Sequence, residues 1–174
     1  MIHLTSIFSR IFVTPAHWIS SGFGSGYANV APGTFGSAAA LIFWWLLWSC
    51  GILSGFESGV LLCIITTLVG VLAIRRCLRA EGAGSDPQLS DPQWIVIDEW
   101  AGMFLALIGT SPAAPLEVLS LFVAFRLFDA LKPGPVGWAE DLPGAFGIMA
   151  DDIVAGALAW GVVQGGVYLI GLYI

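Results

Sequence analysis

The sequence predicts an all-α protein, a polytopic membrane bundle of about five spans with its polar site at the cytoplasmic face. Three observations predict it. Hydrophobic residues make up 57% of the 174 positions and charged residues 10%, against about 25% charged in an ordinary soluble domain. Long uncharged runs recur along the chain. The few basic residues fall on or near one face when the runs alternate across a membrane. The length suits one domain, residues 1–174. Six Lys and Arg against twelve Asp and Glu give a net charge of −6, which excludes a basic nucleic-acid binder and docking by a polybasic surface.

The elements follow in order. Residues 2–13 place Ile2, Leu4, Ile7, Phe8, Ile11 and Phe12 at helical spacing, compatible with an interfacial helix within residues 1–20 or with a short packed helix. Arg10 interrupts this stretch, so it does not read as a secretory signal. Residues 36–54 carry no charge, enough to span the hydrocarbon. A second run, Ser58–Ile74, is closed by Arg75, Arg76 and Arg79. Residues 80–93 are polar and rich in turn formers, a loop. The third run, Trp94–Gly109, contains Asp98 and Glu99, and the fourth, Leu116–Leu131, contains Arg126 and Asp129. Both are short enough to be tilted or partly re-entrant. After a Gly/Pro-rich stretch at 132–150, Asp151 and Asp152 open a fifth run.

Five spans put the N-terminus and the segments 75–94 and 132–150 on one side. Arg10, Arg75, Arg76, Arg79, Arg126 and Lys132 then all lie on or near that face, and the loops around 51–58 and 110–115 have no basic residue. By the positive-inside rule the basic face is cytoplasmic and the C-terminus lies across the membrane. Cys50, Cys63 and Cys77 are well separated in or beside apolar runs and imply neither a disulfide framework nor a zinc site.

An ionisable group at membrane depth costs about 2.5–3.5 kcal/mol on insertion scales. Asp98, Glu99, Arg126, Asp129, Asp151 and Asp152 nevertheless gather near the cytoplasmic ends of three runs. Carboxylates are the hard oxygen ligands Mg²⁺ takes, and Arg and Lys clamp phosphate oxygens. Arg126, Asp129 and Lys132 follow at i, i+3, i+6, along one broad helix face. Gly102, one turn beyond Asp98 and Glu99, would let a neighbouring helix approach closely. Internal ion pairs, or Asp151 and Asp152 capping a helix, are the simpler uses of any one pair; five carboxylates from three helices at one level favour a cation site.

The second feature is GFGSGYANVAPGTFGS, residues 22–37, a Gly/Ser-rich loop entering a helix. Free backbone N–H groups, the helix dipole and the hydroxyls of Thr34 and Ser37 would suit an anion there. A plain loop with a helix cap is the alternative. No Cys is followed six positions later by Arg, no DxDx[TV] motif occurs, and His3 and His17 lie outside the polar clusters. Metal-assisted attack by water, or a carboxylate nucleophile, remains, with water preferred.

Four blocks, GFGSG…APGTFGS (22–37), DPQWIVIDEWAG (91–102), FRLFDALKP (125–133) and GIMADDIVAG (147–156), occur in an order that resembles the phosphatidylglycerophosphatase A family of bacterial membrane lipid phosphatases. The resemblance covers nearly the whole chain after residue 20. It implies Mg²⁺-dependent hydrolysis of phosphatidylglycerophosphate to phosphatidylglycerol and phosphate at the cytoplasmic face of the inner membrane. The family's acidic positions fall on Asp98, Glu99, Asp129, Asp151 and Asp152, the expected metal ligands. Its basic positions fall on Arg126 and Lys132, and its small-residue loop on Gly33, Thr34 and Ser37, the expected substrate contacts. Asp98, Glu99, Arg126, Asp129 and Lys132 are the expected catalytic group. The chain departs from the family's pattern at Leu131, Gly134 and Ala145, and with acidic Glu140 and Asp141 where relatives tend to be basic.

The rival class is a small ion or proton transporter using intramembrane carboxylates. It would spread polar residues through the bilayer depth and show internal repeats, whereas here they gather at one face and the last run has Gln164 as its one polar side chain. A structural membrane subunit is the third reading, with Gly161-x-x-x-Gly165 as a helix-packing face, within the chain in preference to between chains.

Overall fold

Proline at the first position starts several helices of this chain, because its fixed φ and missing N–H are harmless there. The computed structural model describes residues 14–80 and 92–173. Among these residues there are seven α-helices and no strand: α1 Pro15–Ser20, α2 Pro32–Ser49, α3 Phe56–Ala80, α4 Ile97–Ala106, α5 Pro115–Leu131, α6 Pro135–Glu140 and α7 Ala145–Tyr173. Thr14 caps α1 by accepting from the His17 amide at 3.3 Å. Lys132, at φ 44°, ends α5 by donating its N–H to the Phe128 carbonyl at 2.9 Å. The interfacial helix expected at 2–13 and most of the polar loop at 80–93 lie outside the described residues.

Helix α4 is the hub. Ala101, Met103, Phe104 and Ala106 are almost wholly buried on it, and α2, α3, α5 and α7 all pack against it. Its closest neighbour is α7. A Cβ on Gly102 would strike the Asp152 carbonyl, and one on Gly156 would strike the Gly102 carbonyl. The two backbones therefore touch, the approach the sequence anticipates at Gly102. Cys63 ties α3 to this hub with a thiol donating to the Ala101 carbonyl at 3.7 Å.

The contacts also fix direction. Trp160 of α7 donates to the Ile108 carbonyl at 2.9 Å, four residues on from Gly156 in one chain segment and six on from Gly102 in the other, so α4 and α7 run parallel. Glu117, in the first turn of α5, accepts from Gln164 near the far end of α7 at 2.7 Å, while Phe125 meets Gly102, so α5 runs the other way. On α3, Gly59 lies by Ile108 and Gly70 by Ile97 and Met149, again antiparallel to α4. Helices α2, α4 and α7 thus begin at one end of the bundle, where α3 and α5 finish.

Among the described residues two helices, α3 and the stretch 145–169 of α7, are long and apolar enough to cross a membrane. Their outer faces carry Leu61, Leu68, Leu72, Val162 and Tyr168 at half exposure or more, a surface compatible with lipid. The third apolar run departs from a full crossing. It yields a ten-residue helix, which rises ~15 Å against a hydrocarbon thickness of ~30 Å. The chain then turns at Gly109, φ 79°. One expectation is corrected: a Cβ on Gly161 or Gly165 would meet nothing within 4 Å, so among the described residues they form no packing face.

Candidate active site

The site lies at the end where α2, α4 and α7 begin. Asp98 and Glu99 occupy the first turn of α4, whose free N–H groups favour negative charge. Asp98 is 4% exposed and accepts from the Glu99 amide at 3.1 Å. Because Gly102 lets α7 lie against the α4 backbone, Asp152, 3% exposed, comes in beside this pair. One carboxylate oxygen from each of Asp98, Glu99 and Asp152 falls within 4.8 Å of the others. Glu99 Oε2 and Asp152 Oδ1 are buried with no hydrogen-bond donor on them among the described residues. Buried charged oxygens left so are costly unless a cation completes them, so this donor set fits a hard divalent ion.

The other two expected ligands pair with cations, and Asp129 does so while still beside Asp152 and Glu99. Asp129 Oδ2 receives Arg126 Nη1 at 2.6 Å, and its charge also acts on Asp152. Asp151 Oδ2 holds Lys132 Nζ at 2.9 Å, and its Oδ1 accepts from the Asp152 amide at 3.0 Å. Adjacent residues on a helix point about 100° apart, which is why Asp152 faces α4 while its neighbour faces the α5–α6 connection. Lys132 is shared with Glu140 at 2.6 Å. Burial works against its charge, but the hydrogen bonds to Asp151 and Glu140 outweigh it and hold the ammonium above the ordinary lysine range. Glu140 is the contact that sequence reasoning missed; its acidic character stood out only as a departure from the family's pattern.

The Gly-rich segment divides in two. Gly26 rides on the Trp94 carbonyl and Gly36 on Val96, so these small residues serve the packing of the segment onto the α4 approach. Gly33 alone faces the charged cluster: a Cβ there would run into Glu99 Oε1 and sit 3.1 Å from Arg126 Nη2. Ser37 is buried, donates to the Gly33 carbonyl at 2.8 Å and accepts from Arg126 Nη1 at 3.3 Å. Thr34 is exposed at the rim. At the other end of α4, Glu117 accepts from Thr110 at 2.8 Å and from Gln164 at 2.7 Å, a polar knot for which the lone Gln164 was the visible signal.

Three converging carboxylates next to a guanidinium and an ammonium are the equipment of a phosphoric monoester hydrolase, with cations for the phosphate and acids for a metal and its water. The family model for phosphatidylglycerophosphatase A matches residues 18–167. Phosphatidylglycerophosphatase A of Escherichia coli K12 is 35% identical over 165 residues, 90% of this chain and 84% of that protein. Its namesake in Haemophilus influenzae is 34% identical over 148 residues, 84% and 85% of the two chains. A Bacteroides thetaiotaomicron protein, named provisionally as a phosphatidylinositol-3-phosphatase, is 30% identical over 159 residues, 88% and 94%. No solved structure matches the chain. The chain belongs to the phosphatidylglycerophosphatase A family and is a phosphatase of phosphate monoesters.

Proposed function

We propose that this protein hydrolyses phosphatidylglycerophosphate to phosphatidylglycerol and inorganic phosphate, using Mg²⁺, at the cytoplasmic face of the bacterial inner membrane. The observation that carries the reading is the triad of Asp98, Glu99 and Asp152 with two buried oxygens lacking a donor, set beside Arg126. These three residues would hold the ion, which when bound supplies a polarised phosphoryl oxygen and a more acidic water.

The remaining residues act on the headgroup. Arg126 offers its fork to the terminal phosphate, and Asp129 and Ser37 hold that fork in place. Lys132, kept charged by Asp151 and Glu140, adds a second cation at the mouth. Gly33 keeps the ceiling low enough for no side chain to shield Glu99 from the phosphate. Water adds to phosphorus, the bond to the glycerol oxygen breaks, and that oxygen takes a proton as the alcohol leaves. A carboxylate of the cluster accepts the proton of the water.

The orientation in the membrane rests on charge. Arg75, Arg76, Arg79, Arg126 and Lys132 lie at the site end or on its connections, and the connections at 50–55 and 107–114 contain no Lys or Arg. Five alternating runs, with α4 reaching only part-way, fit this arrangement. The test is phosphate release by the detergent-purified protein from phosphatidylglycerophosphate, with Mg²⁺ and with EDTA. Release that EDTA abolishes is expected. Release untouched by EDTA would sink the metal assignment, and faster turnover of phosphatidylinositol 3-phosphate would replace the substrate.

A further inference from the structure

One groove runs directly away from the charged cluster. It lies between α2 and α5, has a cavity volume of about 500 Å³, and carries no charged side chain on its walls. Its two walls are the helices that supply the phosphate-facing residues. Ala38, Leu41, Ile42 and Trp45 continue α2 beyond Ser37, and Phe122 and Leu119 precede Arg126 on α5. At the site end the hydrogen bond from Arg126 to Ser37, 3.3 Å, joins the two helices just beyond the groove's last lining residues, Ala38 and Phe122. From Ala38 to Trp45 the wall rises ~10 Å. A headgroup at Arg126 therefore has an apolar channel starting one residue along α2 and one turn back along α5.

We infer that this groove seats an acyl chain of the phospholipid substrate and so orients the lipid while its phosphate lies on Arg126. The inference rests on the lipid-phosphatase reading above. Lipid tails are as apolar as the groove walls, so moving a chain from bilayer to groove gains little by hydrophobicity. What the groove supplies is register. A chain held along α2 and α5 fixes the lateral position and tilt of the lipid, and small misplacements of a reacting group are expensive in rate. The second groove, about 630 Å³ between α3 and α7 with Arg75 and Phe146 at its rim, is walled by neither α2 nor α5.

The test is a chain-length series of phosphatidylglycerophosphates, dihexanoyl to dipalmitoyl, at fixed mole fraction in detergent micelles with Mg²⁺. Ile42 and Leu119 are 61% and 57% exposed, so Ile42→Trp and Leu119→Trp fill the groove without entering the core. Wild type should gain in kcat/KM with chain length. Each variant should lose about tenfold on the dipalmitoyl substrate and stay within about twofold on the dihexanoyl one. Leu68→Trp, which fills the α3–α7 groove instead, should follow wild type. A profile parallel to wild type in the Ile42 and Leu119 variants, whether turnover is kept or lost as a whole, overturns the inference. So does flattening by Leu68→Trp alone. Failure of the phosphatase reading looks different: wild type would release no phosphate at any chain length.

Discussion

At Gly33 a single hydrogen in place of a methyl group decides whether the cluster closes, since a Cβ would occupy the space of Glu99 Oε1. Gly33→Ala should lower phosphate release by about a hundredfold, while helix propensity alone favours alanine by about 1 kcal/mol, so the thermal melt should barely move. A variant with wild-type turnover would show that Glu99 has room to retreat. Arg126→Lys keeps the charge, but an ammonium held by Asp129 and Ser37 has no second nitrogen to offer the phosphate. Turnover should fall roughly ten- to a hundredfold with the bundle intact, and unchanged kinetics would leave Arg126 a structural role. Asp152→Asn gives a two-part readout. Removing one of three converging charges should raise the metal-free melting temperature, by about 2–4 °C per kcal/mol relieved. It should also erase the rise that Mg²⁺ produces in the parent by mass action. If the variant keeps the full metal-dependent rise, Asp152 is not a ligand.

Among the elements, the α5–α6 connection shows how a residue that looked out of place acquires a role. Glu140 helps Asp151 hold Lys132 charged. A folded-state amine above its unfolded value, about 10.4, contributes stability that is complete below that pH and fades as pH climbs through the folded value. The melting-temperature gap between wild type and Lys132→Met should therefore be flat from about pH 6 to 9 and narrow above about pH 10.5. A gap that widens in alkali would contradict the pairing. The five longest helices were legible in the sequence because uncharged runs have few other meanings, whereas α6 and the first turns of α7, from Ala145, fall in the stretch 132–150 that reads as Gly/Pro-rich. Helix length was less so: the run Trp94–Gly109 is apolar throughout except at Asp98 and Glu99, yet α4 ends at Ala106. The turn after it runs through apolar Leu107 and Ile108 and is marked only by Gly109, at the very end of the run. The acidic cluster was legible as a level in the bundle. Which of its members also pair with Arg126 and Lys132, namely Asp129 and Asp151, depends on the rotation of α5 and α7, which spacing does not record. Gly161 and Gly165 make the same point in reverse, a packing motif with no partner helix in the described chain.

For the whole molecule, the alternation of α2, α3, α4, α5 and α7 predicts opposite sides for the site and the C-terminal end of α7. A periplasm-active reporter fused after Ile174 should be active and a cytoplasm-active one silent. The reverse pattern would remove one crossing and require a different path for α4. The contact of α4 with α7 at Gly102 and Gly156 carries a further consequence. Bilayers of different thickness are accommodated by helices that tilt or slide. Two helices whose carbonyls rest on each other's glycines have no side-chain cushion through which to slide, so they lean together as one body. In a bilayer, the gap between Asp152 and the pair on α4 would thereby be insulated from the thickness of the lipid, and changes in lipid composition would be felt first at the outlying helices.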